Sequence, residues 1–289
     1  MLKIKIFNYI YYNYMHKTLQ FKPKLSKPFT NTRSSYSYRN IYNSSINNSQ
    51  LQNIPNNSTI QNKSLIPLKI FQTWYTKNLP LHMKHTVDKL KKENPEFEHY
   101  LFDDNDCREF IRSNFDKNVL DAYDTLIPGA FKADLWRLCV LYIHGGIYMD
   151  IKLSCINRFK LIELTNNEHF VRDRIQPLSI LNAFMVSKPR NPFLWKCIYR
   201  IVFNTKLKYY GSSALEPTGP VLLGNVILYN NFPINIDIFH PEQGGYLIYR
   251  GRSIISTMYK EYRQEQNSTY VKINKQRYNI MWNNRNIYK

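Results

Sequence analysis

Between Ile66 and Asp104 the chain reads strand, helix, strand, and that order constrains everything after it. "IPLKIFQTWYT" is opened by Pro67 and has the β-branched and aromatic content of a strand. "LHMKHTVDKLKKENPE" spaces Val87 and Leu90 as a helix does and stops at Asn94-Pro95, because proline cannot continue a helix. "FEHYLFDD" is a second strand pattern. Two strands joined by a helix within about 35 residues run parallel, since a parallel pair needs a long crossover and a helix supplies it. The expected class is α/β.

The remaining segments extend that pattern. "NDCREFIRSNF" and "NVLDAYDTL" are short helices broken near Asp116. "AFKADLWRLCVLYIH" is a stronger helix with Phe131, Leu135, Leu138 and Tyr142 as its apolar stripe, closed by Gly145 and Gly146 as C-cap. "IYMDIKL" and "ILNAFMVS" read as strands. "NPFLWKCIYRIVF" is a helix with Asn191 as N-cap and Pro192 at its first position. "IDIFHPEQGGYLIYR" gives two strands joined by a Gly-Gly turn. Ahead of all this, residues 36–64 are rich in Asn and Ser and have no period, so they bury too little apolar surface to offset their ordering entropy. Residues 1–64 are therefore expected to be a disordered basic arm, and 65–289 one domain.

Charge narrows the partners. The chain carries a formal +19, with no Asp or Glu before Asp88, while the body mixes both signs. An anionic partner is implied: nucleic acid, membrane surface or a phosphate-bearing substrate. The body has no pattern of an RRM, KH or helix-turn-helix module, and no specific nucleic acid is expected. Cys107, Cys139, Cys155 and Cys197 lie too far apart for a C-x-x-C zinc site and are expected to be buried and reduced. The opening "MLKIKIFNYIYYNYMHK" is interrupted by Asn8 and Asn13 and falls short of the ~20 apolar residues a spanning helix needs. No transmembrane anchor is expected, and a soluble cytoplasmic location is favoured over the Golgi lumen.

One run carries chemistry. Asp150 stands where "IYMD" emerges from the sheet, the edge at which open α/β sheets bind ligands. Upstream, "ADLWR" sets Asp134 and Arg137 three apart on one side of the preceding helix. A carboxylate and a guanidinium so placed can hold sugar hydroxyls by charge-assisted hydrogen bonds. They can equally form a simple intrahelical ion pair, and Asp150 can merely cap a turn. Lys152 follows two residues later, where i and i+2 share a strand face and a plain Asp150–Lys152 salt bridge is the alternative.

Taken together, "AFKADLWRLCVLYIHGGIYMDIK" resembles the core of the glycosyltransferase family 32 sugar transferases, a pattern shared with the clostridial glucosylating toxins: A/S-D-x-x-R, then G-G-x-Y-x-D-x-D. "IPLKIFQTW" is similar to that family's opening strand, "NPEFEHYLFDDND" to its N-P and D-D-x-D segment, and "PTGP" at Pro217–Pro220 to its T-G-P turn. The resemblance implies a GT-A-type nucleotide-sugar-binding sheet flanked by helices. It implies transfer of a sugar from a UDP- or GDP-linked donor, UDP preferred, to a hydroxyl of a glycan, lipid or protein, with retention of configuration. Trp74 is then a stacking platform for the base, or else a core tryptophan. Asp134 and Arg137 are donor-sugar contacts, and Tyr148 and Asp150 contact ribose and sugar. Asp103 and Asp104 match the family's paired acids but read first as helix N-capping residues, and His144 as a neighbour of the helix end. Phe71 replaces a histidine and is expected to pack. Trp282 and Arg285 in "YNIMWNNRNIY" are candidates to close over the diphosphate.

Lys152 is the departure that matters, because it replaces the second acid of D-x-D, the ligand of Mn²⁺ or Mg²⁺. Asp150 is then a metal ligand only if a metal is used, since a protonated lysine repels a hard cation. Two readings follow. Asp150, Lys152 and Arg137 form the catalytic set, with the ammonium neutralising the leaving diphosphate, or the chain is an inactive nucleotide-sugar- or glycan-binding relative.

Overall fold

The computed structural model describes residues 64–173, 179–230, 238–239 and 245–289. Except for Ser64, the Asn/Ser-rich arm lies outside the described residues. No helix among them is long and apolar enough to cross a membrane.

The opening folds as a βαβ unit. Strand β1 (Lys69–Thr73) and β2 (Glu98–Phe102) pair in parallel, Lys69 opposite Glu98 and Thr73 opposite Phe102. Helix α1 (Leu81–Glu93) crosses between them and buries Met83, Val87 and Leu90, one stripe at spacings of four and three. It ends where the sequence places its stop: the buried Asn94 side chain donates to the Leu90 carbonyl at 3.0 Å and accepts from the Leu161 N–H at 2.9 Å.

Helices α2 (Asp104–Asn114) and α3 (Lys117–Thr125) follow, broken at Asp116, which caps α3 through the N–H groups of Asn118 and Val119. Asp103 caps α2 in a reciprocal box with Asp106. Helix α4 (Gly129–His144) is buried continuously from Asp134 to Leu141, so the narrow stripe read from sequence is too narrow; α4 is a core helix with neighbours on all sides.

From α4 the chain turns straight into β3 (Gly146–Met149), which pairs in parallel with β1 and antiparallel with β6 (Ser179–Ser187). The two glycines make this reversal possible. Gly145 caps α4 at φ +63°, and a Cβ there would sit 2.6 Å from Pro189 Cδ. Gly146, at φ +101°, is already the first strand residue, and a Cβ there would lie 2.6 Å from the Lys69 carbonyl oxygen.

Strand β4 (Ser154–Cys155), β5 (His169–Asp173), β7 (Ile238–Phe239), β8 (Tyr246–Tyr249) and β9 (Arg252–Ser256) complete the sheet, in the order β2-β1-β3-β6-β5-β7-β8-β9-β4. It is mixed rather than all-parallel, because β6 runs antiparallel to both β3 and β5, and β8 and β9 run antiparallel to their neighbours, while β1 with β2, β1 with β3, and β5 with β7 are parallel pairs. The expected strand pair around the Gly-Gly turn is β7–β8; most of the turn itself lies outside the described residues. Side chains alternate between two cores. Phe71, Tyr148 and Met185 face helices α2, α3, α4, α5 (Pro192–Lys206) and α6 (Pro220–Asn230), while Ile70, Ile147, Phe184 and Val186 pack on the other side with Leu90 and Leu161. Asn191 and Pro192 open α5 as the sequence reads. Helices α7 (Tyr262–Lys272) and α8 (Tyr278–Asn283) end the chain. All four cysteines are free and buried.

Candidate functional site

Helix and strand geometry bring the key residues level with one another. After the reversal at Gly145, five residues of extended chain from Gly146 run about 16 Å back along α4. At 1.5 Å per residue this is roughly 11 helical residues, which places Asp150 beside Asp134 and Arg137. The strand itself stops at Met149: the Asp150 N–H makes a last bond to the Ala183 carbonyl at 2.8 Å, and Leu153 N–H closes a turn on the Asp150 carbonyl at 2.9 Å. The "IYMDIKL" strand is therefore shorter than the sequence suggests. A turn, and not a shared strand face, brings Lys152 to Asp150.

The side chains form one network. Arg137 is buried, with Nη2 3.3 Å from Asp134 Oδ1 and Nη1 3.3 Å from Asp150 Oδ1. Its Nε donates to the Ala133 carbonyl at 3.1 Å, its Nη1 to the Asn182 carbonyl at 2.8 Å, and its guanidinium lies 4.5 Å over the Tyr148 ring. Asp134 also accepts from Asn182 Nδ2 at 2.9 Å and from the Thr218 hydroxyl at 2.8 Å. Asp150 accepts from the Tyr148 hydroxyl at 2.7 Å on Oδ1, and Lys152 Nζ stands 2.9 Å from Oδ2.

Burial raises the Asp134 carboxyl, opposed by the Arg137 charge and the Thr218 bond. Burial pushes Asp150 in the same direction, but Lys152 and then Arg137 outweigh it and hold Asp150 below its ordinary value. Burial opposes charge on Arg137 as well, yet the Asp150 and Asp134 carboxylates hold it protonated. Burial also keeps the Tyr148 phenol protonated.

A cavity of about 400 Å³ opens over this network and is lined by six of the sequence candidates: Trp74, Asp134, Arg137, Tyr148, Asp150 and Lys152. Trp74 leaves β1 at its C-terminal end and packs against the cluster of Met83, Val87, Ile151 and Tyr262. Its buried indole N–H has no acceptor among the described residues. Of the two roles weighed from sequence, the packing of Trp74 on this cluster fits the core one, and the same residue also borders the cavity.

Other residues were not legible locally. Asn182 is a polar interruption in an apolar strand, and Thr218 sits in the "PTGP" motif; both reach the network from elements distant in sequence. Further lining comes from α7 and its following loop, through Arg263, Gln266, Tyr270 and Lys275. Lys275 Nζ is 3.3 Å from Asp104 Oδ2, on the helix that Asp103 caps. Trp282 and Arg285, expected to cover the diphosphate, are not among the residues lining the cavity. Trp282 Nε1 donates to the Tyr210 carbonyl at 2.7 Å, and Arg285 stacks 4.7 Å over the Tyr210 ring. His144 stacks on Phe71 with ring centroids 5.8 Å apart, and burial lowers its pKa to about 4, so it is a neutral packing residue.

The residues present do not fit a divalent cation. Both Asp150 oxygens already receive donors: a phenol and a guanidinium on one, an ammonium on the other. No group of three or more His, Cys, Asp or Glu with metal-holding geometry occurs among the described residues.

Comparison with known proteins agrees with the motifs. Residues 80–171 match the family described as glycosyltransferase sugar-binding region containing DXD motif. Inositol phosphoceramide mannosyltransferase 3 of Schizosaccharomyces pombe is 31% identical over 178 residues, 60% of this chain and 48% of that protein. Mannosyl phosphorylinositol ceramide synthase SUR1 of Saccharomyces cerevisiae is 31% identical over 166 residues, 55% of this chain and 41% of that protein. The chain thus spans about half the length of these curated relatives. Among solved structures, the PaToxG glycosyltransferase aligns over 58% of this chain and 70% of its own, with 17% identity and a TM-score of 0.45.

Proposed function

We propose that this chain, which carries the sugar-binding region of the DXD-motif glycosyltransferases, transfers a hexose from a nucleotide-sugar donor to an acceptor hydroxyl with retention of configuration. The observation that carries this reading is the convergence of Trp74, Asp134, Arg137, Tyr148 and Asp150 on one cavity, which brings an aromatic side chain and a charged network to the same space. Relatives named as mannosyltransferases point to mannose as the sugar. A lipid-borne hydroxyl, as in their names, is the first acceptor to try, ahead of glycan or protein.

Retention on a single face needs no enzymatic nucleophile. The bond from the anomeric carbon to the diphosphate oxygen breaks and its electron pair stays on that oxygen. The acceptor oxygen bonds to the anomeric carbon from the same face and gives its proton to the departing diphosphate. What the protein supplies is orientation of donor and acceptor and a fixed field for the leaving charge.

Titration calorimetry of the full chain with GDP-mannose, UDP-glucose, UDP-galactose and UDP-N-acetylglucosamine tests the donor. Saturable 1:1 binding of one of them is expected. Trp74→Ala is expected to weaken it about 5- to 150-fold, the value of one aromatic–base stack. Equal affinity in Trp74→Ala would remove the platform role.

A further inference from the structure

Resting on the donor reading above, we infer that the Lys152 ammonium, held by Asp150, takes the place of the divalent cation and binds the donor diphosphate directly, so that the site works without metal. Lys152 lines the cavity, and its side chain is 27% exposed. Of its three ammonium protons, one is directed to Asp150 Oδ2 at 2.9 Å, and the others have no acceptor among the described residues.

The other cations lining the cavity are placed differently. Arg137 is spent on Ala133, Asn182, Asp134 and Asp150. Lys275 is paired to Asp104, and Arg263 stands exposed on α7 with Nη1 3.0 Å from Gln266 Oε1. Lys152 is thus the cavity cation anchored on the Asp150 network that still has protons to donate. Its position is fixed through the backbone as well as the ion pair: Asp150 N–H is tied to Ala183, and the Lys152 carbonyl accepts from the Tyr259 N–H at 3.3 Å. An ammonium fixed before the donor arrives stabilises charge developing on the diphosphate without reorganising. The ammonium takes no part in the proton transfer, since the acceptor proton passes to the diphosphate oxygen.

The test is calorimetry of the full chain with GDP-mannose, UDP-glucose, UDP-galactose and UDP-N-acetylglucosamine, in EDTA and in Mn²⁺, on wild type, Lys152→Met and Lys152→Asp. Guanosine and uridine serve as ligands without diphosphate. Wild type is expected to bind its donor in EDTA, with less than a twofold change on adding Mn²⁺. Lys152→Met should weaken the donor roughly 10- to 150-fold, the range for a hydrogen bond to a charged group, and leave nucleoside affinity unchanged. Lys152→Asp should bind the donor only with Mn²⁺.

Wild-type binding that requires Mn²⁺ would overturn the inference while leaving the glycosyltransferase reading intact, as would Lys152→Met binding at wild-type strength. Wild type that binds no donor with or without metal would overturn both. Circular dichroism of each variant identifies any that fails to fold, and Lys152→Arg, which keeps the charge, should then retain metal-free binding; its failure in a folded protein would count against the inference.

Discussion

Replacing Arg137 with Met is expected to lower unfolding stability by about 3–5 kcal/mol at neutral pH, the usual cost of leaving a buried charge without its partner. Arg137 lies between Asp134 and Asp150, with 3.3 Å to each. Without the guanidinium, Asp134 keeps only neutral donors, Asn182 and Thr218, and faces the Asp150 charge unshielded. The pH dependence carries the sign. In wild type, Asp134 is already raised by burial, which Arg137 opposes. In the variant it rises further, so folding is favoured while Asp134 is protonated and stability is lost as pH rises through its folded value. Asp150, held low by Lys152 and Arg137 against burial, behaves oppositely in wild type: its contribution is present above the unfolded carboxylate value and is lost as pH falls through the depressed one. Urea denaturation at pH 5 and pH 8 should therefore show a larger deficit for Arg137→Met at pH 8. A loss below 1 kcal/mol, or a larger deficit at pH 5, would mean that the two carboxylates do not depend on this guanidinium.

Asp150→Ala separates function from stability. The carboxylate is 19% exposed at the cavity and holds Lys152, Tyr148 and Arg137 in one arrangement. Arg137 retains Asp134, so the fold should persist with a change of about 1–2 kcal/mol, within the range of ordinary point substitutions. Nucleoside diphosphate release should fall about 10²- to 10³-fold, as when one preorganised electrostatic contact is removed. Activity within threefold of wild type in a folded protein would place the reacting centre elsewhere.

What was legible in the sequence follows from distance along the chain. The βαβ opening, the Asn94-Pro95 stop, the Asp103 and Asn191 caps and the Gly145 reversal are decided by neighbours within a few residues, and each stands where the local chemistry puts it. Asp134, Arg137 and Asp150 were readable because one helix and one short strand fix their relative height. Asn182 and Thr218 were not, because strand order and the placement of the residues before α6 decide that they meet Asp134, and no local spacing encodes either. The α7 wall escaped for the same reason. Trp282 and Arg285 show the converse: a Trp and an Arg near the chain end invited a role over the ligand, while packing on Tyr210 claims both. Lys152 could be read as a departure from D-x-D, but only the turn at Asp150 shows how its ammonium reaches the carboxylate.

The most direct test of sugar transfer is the release of nucleoside diphosphate from GDP-mannose and from the three UDP-sugars, followed chromatographically in EDTA. It should be run with water alone and with added lipid, glycan and peptide hydroxyl acceptors. The account predicts that one donor is consumed without metal, faster when an acceptor is present, and that Asp150→Ala is nearly silent. A donor that binds the wild-type chain yet yields no nucleoside diphosphate with any acceptor, with or without Mn²⁺, would contradict it and leave a binding relative in place of a transferase.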